Sequence, residues 1–125
     1  MTARKKGCPQ CALHKLYRFI EPQILYYLTQ NRVAYGYELI ARLNEQPLSE
    51  GKVDHSAIYR TLRALEYHGN VTSDWDTNTS GPAKRKYKIT DGGEEHLQEW
   101  LEAMAQLSGN LTLFTNEARS NLKKI

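Results

Sequence analysis

A short basic run near residue 85 offers the clearest chemistry in this sequence of 125 residues. Lys84, Arg85, Lys86 and Lys88 place four cations within five positions, and the turn-forming pair Gly81–Pro82 precedes them. Ammonium and guanidinium groups bind phosphate oxygens, so the run could contact the backbone of a nucleic acid. A solvated surface strand is the ordinary alternative for an isolated run of charge, so other parts of the chain must distinguish the two.

A second set of candidates recurs at helical spacing between Asp54, a natural N-cap, and Gly69, a natural helix terminator. The apolar stripe of this predicted helix comprises Ile58, Leu62 and Leu65. The opposite stripe is polar, cationic and aromatic, and it comprises Ser56, Tyr59, Arg60, Arg63 and Tyr67. Such a face is either an ordinary solvated surface or a surface that touches the base edges of a duplex.

Arg60 and Arg63 are the strongest candidates on that face, because a guanidinium fork can bond O6 and N7 of one guanine together. His55, in the first turn of the same helix, could contact a phosphate. Tyr59 borders the apolar stripe, so its ring could instead pack partly into the core. The sequence leaves the role of Tyr59 open.

Two cysteines stand three positions apart near the N-terminus, at Cys8 and Cys11, with His14 nearby. A structural zinc site needs about four ligands, so this stretch would require others, for example from a partner chain. The basic residues at 4–6 could lower the pKa of the thiols and so create a redox switch. A mobile arm with two reduced cysteines is the simplest interpretation, and we therefore predict neither a metal nor an organic cofactor.

The composition is that of an ordinary globular domain, with 40% hydrophobic and 25% charged residues. No apolar run approaches the roughly 20 residues that cross a bilayer. The basic N-terminus lacks the apolar segment of a secretory signal, so we expect a cytoplasmic protein with no membrane partner. We find no nucleotide-binding glycine loop, no H-E-x-x-H motif and no plausible nucleophile–base set, which argues against an enzyme.

The net charge of +3 is unevenly distributed along the chain. Residues 1–18 carry five basic side chains and no acid, whereas residues 89–118 carry six acids and neither Lys nor Arg. This segregation suggests that one face of the molecule meets a polyanion while another face stays away from it.

Hydrophobic spacing predicts two helices before the capped one. The first spans Phe19–Gln30, the second is short and spans Tyr35–Leu43, and a loop occupies 44–52. Alternation over Val71–Asp76 then predicts a strand. A turn at 77–83 follows, and the basic run after it forms the second strand of a predicted hairpin.

A long last helix is predicted to begin at Thr90 or Asp91. Its first turns are acidic, which complements the positive end of the helix dipole. We expect Ser108-Gly109-Asn110 to break or bend it, with a terminal helix beyond.

The order of helices and hairpin is that of a winged helix-turn-helix, whose third helix enters the major groove while the hairpin, or wing, reaches over the adjacent backbone. We therefore predict a mainly α fold with a small β-hairpin (α+β). Its expected parts are a basic arm at 1–18, a DNA-binding domain at 19–89, and a C-terminal helix with a tail at 90–125, which should lie away from DNA because its first turns are acidic. A winged helix that binds protein instead of DNA is the alternative.

Three blocks of the sequence also resemble the PadR family of bacterial transcriptional regulators. They are YGYEL at 35–39, AIYRTLRALEYHG at 57–69, and GPAKRKYKITDGG at 81–93, which is followed by Leu97 and Trp100. The similarity covers roughly residues 19–107 and is greatest to the short-chain branch. Within that branch the chain is similar to regulators associated with polyhydroxybutyrate metabolism.

The resemblance implies a homodimer that binds a two-fold-symmetric operator on double-stranded DNA, usually as a repressor that a small molecule or another signal releases. The positions it implies for DNA contact are Tyr37, Ser56, Tyr59, Arg60, Arg63, Lys84, Arg85 and Lys86. The two helices it implies for dimerisation carry the residues Phe19, Ile20, Ile24, Leu97, Trp100, Leu101, Met104 and Leu107.

Some features depart from the family pattern or fall outside it. The N-terminal extension with Cys8 and Cys11, and the polar Asn70 before the first wing strand, leave the effector and the dimer geometry open. Trp75 and Trp100 could stack on an aromatic effector, although such large rings more often fill a core or a dimer seam.

Overall fold

The secondary-structure elements follow one another in the predicted order, with one addition. The computed structural model describes residues 19–45, 53–78 and 81–123. In chain order the elements are α1 (Ile20–Gln30), β1 (Ala34–Tyr35), α2 (Gly36–Glu45), α3 (His55–Tyr67), β2 (Val71–Asp76), β3 (Lys84–Ile89) and α4 (Asp91–Lys123). This mainly helical fold with a small antiparallel sheet confirms the predicted class. Cys8, Cys11 and His14 lie outside the described residues, so the interpretations of the arm stay predictions.

One core joins the first three helices to the sheet and to the start of α4. Its large apolar residues, each at most 7% exposed, are Ile20, Ile24, Leu25, Leu28, Leu39, Leu43, Ile58, Leu62, Leu65, Val71, Tyr87 and Leu97. Full burial of one such aliphatic side chain contributes about 1.5–3 kcal/mol. The predicted apolar stripe of α3 is thus buried, and its packing fixes which face of α3 remains outside.

The two ends of α3 are capped differently. At the C-terminus, Gly69 has a φ of 80°, its N–H bonds the carbonyl of Glu66 at 3.1 Å, and the next N–H, of Asn70, bonds the carbonyl of Leu65 at 2.8 Å. This pair of bonds satisfies the last carbonyls of the helix, and glycine adopts the left-handed conformation without a Cβ penalty. At the N-terminus Asp54 occupies the N-cap position as predicted, but its side chain makes no capping hydrogen bond.

The sheet has three antiparallel strands in the order β1-β3-β2, so the basic strand is central. Within β2–β3 the register pairs Ser73 with Tyr87 and Trp75 with Arg85. The two-residue strand β1 was not predicted, because Ala34–Tyr35 is too short to show a period of two. Its pairing with β3 places the start of α2 beside the wing.

The start of α4 docks on the end of the α3–β2 connection. Thr90 caps the helix, because its hydroxyl accepts the N–H of Gly93 at 3.0 Å and donates to the carbonyl of Gly69 at 2.7 Å. Gly93 lies against the backbone, since an added Cβ would fall 2.1 Å from the carbonyl oxygen of Asn70. The predicted start at Thr90 or Asp91 is confirmed, and only a glycine fits at position 93.

The expected break at residues 108–110 is wrong, because α4 continues through them as one helix of 33 residues. Gly109 keeps its backbone N–H, so the helical ladder persists at a cost of about 1 kcal/mol relative to alanine. None of the helices in the described ranges is both long and apolar enough to cross a membrane.

Candidate nucleic-acid interface

The outer face of α3 is open to solvent over its whole length. His55, Ser56, Arg60 and Arg63 are all exposed, and Tyr67 near the end of the helix is 85% exposed. Within the described residues, neither Arg60 nor Arg63 takes part in a salt bridge. The guanidinium groups on this face can therefore meet an external acceptor without breaking an internal ion pair.

Tyr59 is partly exposed and also packs against a neighbouring element. The residue is 38% exposed, while its ring lies against the backbone of Gly36 at the start of α2. A Cβ at Gly36 would fall 2.7 Å from Cε1 and 2.8 Å from the hydroxyl oxygen of Tyr59. The glycine of the YGY motif therefore permits close contact between α2 and the outer face of α3.

The cations of β3 divide between the two faces of the sheet, because successive side chains of a strand point to opposite sides. Lys84, Lys86 and Lys88 share one face, where Lys84 lies opposite Asp76 and Lys86 lies opposite Asp74 in the register. Lys84 and Lys88 are exposed, whereas Lys86 is half-buried. Three lysines thus line one side of the wing, interleaved with acids on the neighbouring strand.

Arg85 projects from the other face, toward α3. Its guanidinium lies 5.1 Å from the ring centroid of Trp75 and 4.0 Å from the carboxylate of Glu66 on α3. Trp75 does not fill the core of the single chain, since it is 59% exposed and its ring covers Arg85. Its stacking on an effector or at a dimer seam stays a prediction.

The turn end of the wing is fastened to Tyr35, which directly precedes α2. The hydroxyl of Tyr35 donates a hydrogen bond to a carboxylate oxygen of Asp76, and the other carboxylate oxygen accepts the backbone N–H of Asn78 at 3.0 Å. The bond from Tyr35 is the main reason that the pKa of Asp76 is lowered, and it raises the pKa of Tyr35. The carboxylate is thus held in its charged form at the end of β2.

Tyr37, predicted to contact phosphate, extends this cluster outward. It is 55% exposed and its ring stacks on that of Tyr35, with centroids 5.6 Å apart and planes inclined by 8°. The ammonium of Lys84 lies 5.2 Å from the Tyr37 ring centroid. A cation held over an aromatic ring gains about 0.5–1 kcal/mol at an exposed site, so Lys84 has a preferred position beside α2.

Two clefts separate the outer face of α3 from the wing and α2. A groove of about 450 Å³ is lined by Arg63, Glu66, Tyr67, Arg85 and Tyr87. A smaller cleft of about 250 Å³ is lined by Tyr35, Gly36, Tyr37, Tyr59, Lys84, Arg85 and Tyr87. Tyr87 lies between the two clefts, and its burial raises the pKa of its phenol.

The residues predicted for dimerisation fall into two groups. Ile20, Ile24 and Leu97 belong to the core of the single chain, so a partner would not meet their side chains. Trp100 is half-buried, packs edge-on against Phe19 with centroids 5.9 Å apart, and donates its indole N–H to Glu21 at 2.7 Å. Trp100 therefore packs within the chain, as the more ordinary interpretation of this ring predicts, and its stacking on an effector stays a prediction.

The second group lies farther along α4 and is more open. Met104 is half-buried, whereas Leu101 is 52% exposed and Leu107 is 45% exposed. These side chains can still meet a partner.

Sequence reasoning missed the residues that connect the elements, namely Tyr35, Glu66, Ser73 and Asp76. Tyr35 and Asp76 meet across 41 positions, and neither lies in a pattern that would pair them. The alternation of β2 predicts that Ser73 and Trp75 share a face, which was the one signal available. Within the described residues, no group of three or more His, Cys, Asp or Glu side chains could hold a metal ion.

Comparison with known proteins agrees with this architecture. A family model described as "Transcriptional regulator PadR-like family" matches residues 24–99, which is more than half of the chain. A probable transcriptional regulator of Mycobacterium tuberculosis is 33% identical over 66 residues, which make up 53% of this chain and 35% of that protein. The matched region thus spans only about a third of that relative.

Solved structures share the fold. A transcriptional regulator from Clostridium thermocellum superposes with a TM-score of 0.71 at 19% identity, over 79% of this chain and 92% of that one. A PadR-like transcriptional regulator from Bacillus cereus superposes with a TM-score of 0.65 at 28% identity, over 79% of this chain and 93% of that one. The chain therefore belongs to the PadR-like family, whose members are transcriptional regulators and not enzymes.

Proposed function

We propose that this regulator binds double-stranded DNA sequence-specifically as a homodimer, with α3 in the major groove and the β2–β3 wing on the adjacent backbone. The observation that carries the proposal is the open cationic stripe of α3 beside the basic strand β3. Arg63 lines one groove beside the wing, and Lys84 lines the neighbouring cleft together with Tyr59. A surface of this kind matches a polyanion whose bases and phosphates lie side by side.

Base reading is assigned to the outer face of α3. Arg60 and Arg63 are exposed and outside any salt bridge of the described residues, so their guanidinium forks can bond guanine edges. Ser56 and His55, both exposed in the first turn, are placed to contact phosphate or a base edge. Tyr59 contributes its partly exposed ring and hydroxyl at the α2 contact.

Phosphate contact is assigned to the wing lysines and to Tyr37. Lys84, Lys86 and Lys88 share one side of β3, and phosphate contacts supply most of the affinity without reading sequence. Asp74 and Asp76 lie opposite two of these lysines in the register. They reduce the net charge of the wing, so its binding to DNA should depend more on where each lysine lies than on overall electrostatic attraction.

Dimerisation is assigned to α4, which carries one apolar stripe along its length. Leu97 and Trp100 begin the stripe against α1, and it continues at spacings of three and four through Met104, Leu107, Leu111, Phe114, Ala118 and Leu122. Leu111 is 54% exposed and Phe114 is 68% exposed in the single chain. Exposed apolar surface of this extent is typical of a protein–protein contact.

A two-fold dimer recognises a two-fold-symmetric operator, with half-sites about one helical turn of DNA apart. Repression and release by a small molecule complete the proposal, and they rest on the resemblance to the family. Membership of the branch associated with polyhydroxybutyrate metabolism stays a prediction from the sequence motifs.

The test measures binding to the DNA upstream of the protein's own gene by fluorescence anisotropy over a salt series, with an unrelated duplex as control. We expect Arg63→Ala to weaken specific binding by about 1–3 kcal/mol with little effect on the control duplex. Lys86→Ala should weaken both and reduce the salt slope by about one. Equal losses on both duplexes for both variants would contradict this division of roles, and absence of binding at low salt would favour a protein-binding module.

A further inference from the structure

Arg85 differs from the other cations of the wing in what surrounds it. The alternation of β3 puts Arg85 on the same face as Tyr87, which is 6% exposed, and therefore turns it toward α3. Trp75 lies directly opposite it in the register. Only 43% of the Arg85 side chain is exposed.

The polar contacts of Arg85 form a closed triangle with one residue of β2 and one of α3. Its Nε–H donates to the Ser73 hydroxyl at 2.9 Å, and that hydroxyl donates to Oε2 of Glu66 at 2.7 Å. The Nη2 atom of Arg85 lies 4.0 Å from the same carboxylate oxygen. Ser73 thus acts as donor and acceptor at once, which orients both charged partners.

We propose that Arg85, Ser73 and Glu66 form a latch that fixes the angle between the wing and the recognition helix, so that Arg85 is a positioning residue rather than a phosphate contact. This inference rests on the proposed function and reassigns Arg85, which the family resemblance implied as a DNA contact. Besides the two hydrogen bonds through Ser73, the latch contains the only salt bridge between α3 and the wing within the described residues. Its three members come from three successive elements, α3, β2 and β3.

The sign of the charge on Glu66 makes the latch more than an ordinary surface pair. Glu66 lines the same groove as Arg63, so its carboxylate faces the surface proposed to meet DNA. Like charges repel, so affinity alone would disfavour an acid there. An acid that binds Arg85 also withdraws that cation from the phosphates. Both costs are explained if the wing must be held at one angle before DNA arrives, because a pre-organised surface loses less conformational freedom on binding.

The first test substitutes Glu66→Gln and measures anisotropy with the specific duplex and the control duplex. If charge alone mattered, loss of an acid would tighten binding to both duplexes. The latch predicts weaker binding to the specific duplex by about tenfold, while the control duplex stays equal or binds tighter. Equal tightening on both duplexes would overturn the latch.

The second test compares Arg85→Lys with Arg85→Ala. Lysine keeps the positive charge for a phosphate but has no Nε–H fork to bond Ser73 while stacking on Trp75. The latch predicts that both variants lose about tenfold in specific affinity and leave the salt slope almost unchanged. If Arg85→Lys binds like the wild type while Arg85→Ala loses about one unit of slope, Arg85 is a phosphate contact and the proposal is wrong.

A measurement on the free protein separates failure of the latch from failure of the proposed function. Nitrogen-15 relaxation at Arg85 Nε reports whether the side chain is held in the absence of DNA. We expect a rigid Nε in the wild type and a flexible one in Glu66→Gln, with an unchanged melting temperature as the control for folding. A flexible Nε in the wild type would overturn the latch. A rigid Nε in a protein that does not discriminate between duplexes would instead overturn the DNA-binding proposal.

Discussion

The two halves of α4 carry the same apolar stripe but have very different surroundings. In the first half Leu97 is 7% exposed, and Trp100 is packed on Phe19 and hydrogen-bonded to Glu21. In the second half Phe114 is 68% exposed and Leu122 is 67% exposed. The first turns of α4 are thus part of the core of the winged domain, whereas its later turns find no cover within the described chain.

This difference indicates that α4 can serve both the winged domain of its own chain and a contact with a second chain. Its first half is fixed to the winged domain through α1 and the Gly69–Asn70 connection. Its second half presents an apolar surface that suits a second copy of the chain. A shift of the partner along that surface would therefore move the two recognition helices relative to each other, which is how an effector of the proposed dimer would act.

The largest effect is expected from substitutions in the second half of α4, which should weaken the dimer and leave the fold of each chain intact. Leu111→Glu with Phe114→Glu places charges in the proposed seam, and each appears twice in a two-fold dimer. We expect the dimer dissociation constant to rise at least about 100-fold, or about 2.7 kcal/mol, measured by analytical ultracentrifugation. Each chain should remain folded, because neither side chain belongs to the core.

Leu113→Glu is the matched control for that experiment. Leu113 is 71% exposed on the same helix, but helical spacing places it about 100° around the helix from Phe114 and about 160° from Leu111, and therefore off the apolar stripe. Its substitution should leave the dimer intact. A chain that is monomeric before any substitution, or that dissociates equally in both variants, would contradict the assignment of the stripe.

A smaller effect, on the stability of the single chain, is expected from a substitution in the first half of α4. Gly93→Ala puts a Cβ 2.1 Å from the Asn70 carbonyl oxygen and 2.7 Å from Ile89 Cγ1, so the α4 start must shift away from β3. We expect a net loss of about 2 kcal/mol in the free energy of unfolding, because overpacking outweighs the higher helix propensity of alanine. Urea unfolding at fixed protein concentration measures this, and an unchanged midpoint would refute the close approach.

The smallest effect is expected from replacing glycine by alanine in the second half of α4, where the substitution should stabilise the protein instead of destabilising it. Gly109→Ala meets no atom within 4 Å in the single chain and lies off the apolar stripe. We expect it to stabilise the protein by up to about 1 kcal/mol, because alanine restricts the unfolded chain and favours the helix. Destabilisation at this site would mean that Gly109 contacts a partner or that the helix is interrupted there.

Sequence patterns predicted most of the architecture because they reflect local physics. The apolar stripe of α3, its end at Gly69 and the start of α4 at Thr90 or Asp91 are all confirmed. The family assignment and the absence of an enzymatic role are confirmed as well. The predicted break at 108–110 was wrong because a single glycine weakens a helix without removing any hydrogen bond from it.

The connections between elements could not be predicted from one sequence. β1 exists because β3 pairs with Ala34–Tyr35, which is a tertiary event. The contacts of Asp76 with Tyr35 and of Arg85 with Glu66 join residues 41 and 19 positions apart. Charge composition alone made Arg85 equivalent to its lysine neighbours. Strand alternation separates it from them, but only the placement of α3 shows that its face meets Glu66. The roles of the individual DNA-contacting residues stay predictions.

A footprint on the bound upstream duplex, combining purine methylation interference with hydroxyl-radical protection, shows whether α3 reads the bases of two half-sites. A dimer that binds in this way should give two patches of N7 interference in successive major grooves on one side of the duplex, about 10 base pairs apart and each flanked by backbone protection. A single unsymmetrical patch, or backbone protection without any N7 interference, would contradict a dimer that reads DNA with α3.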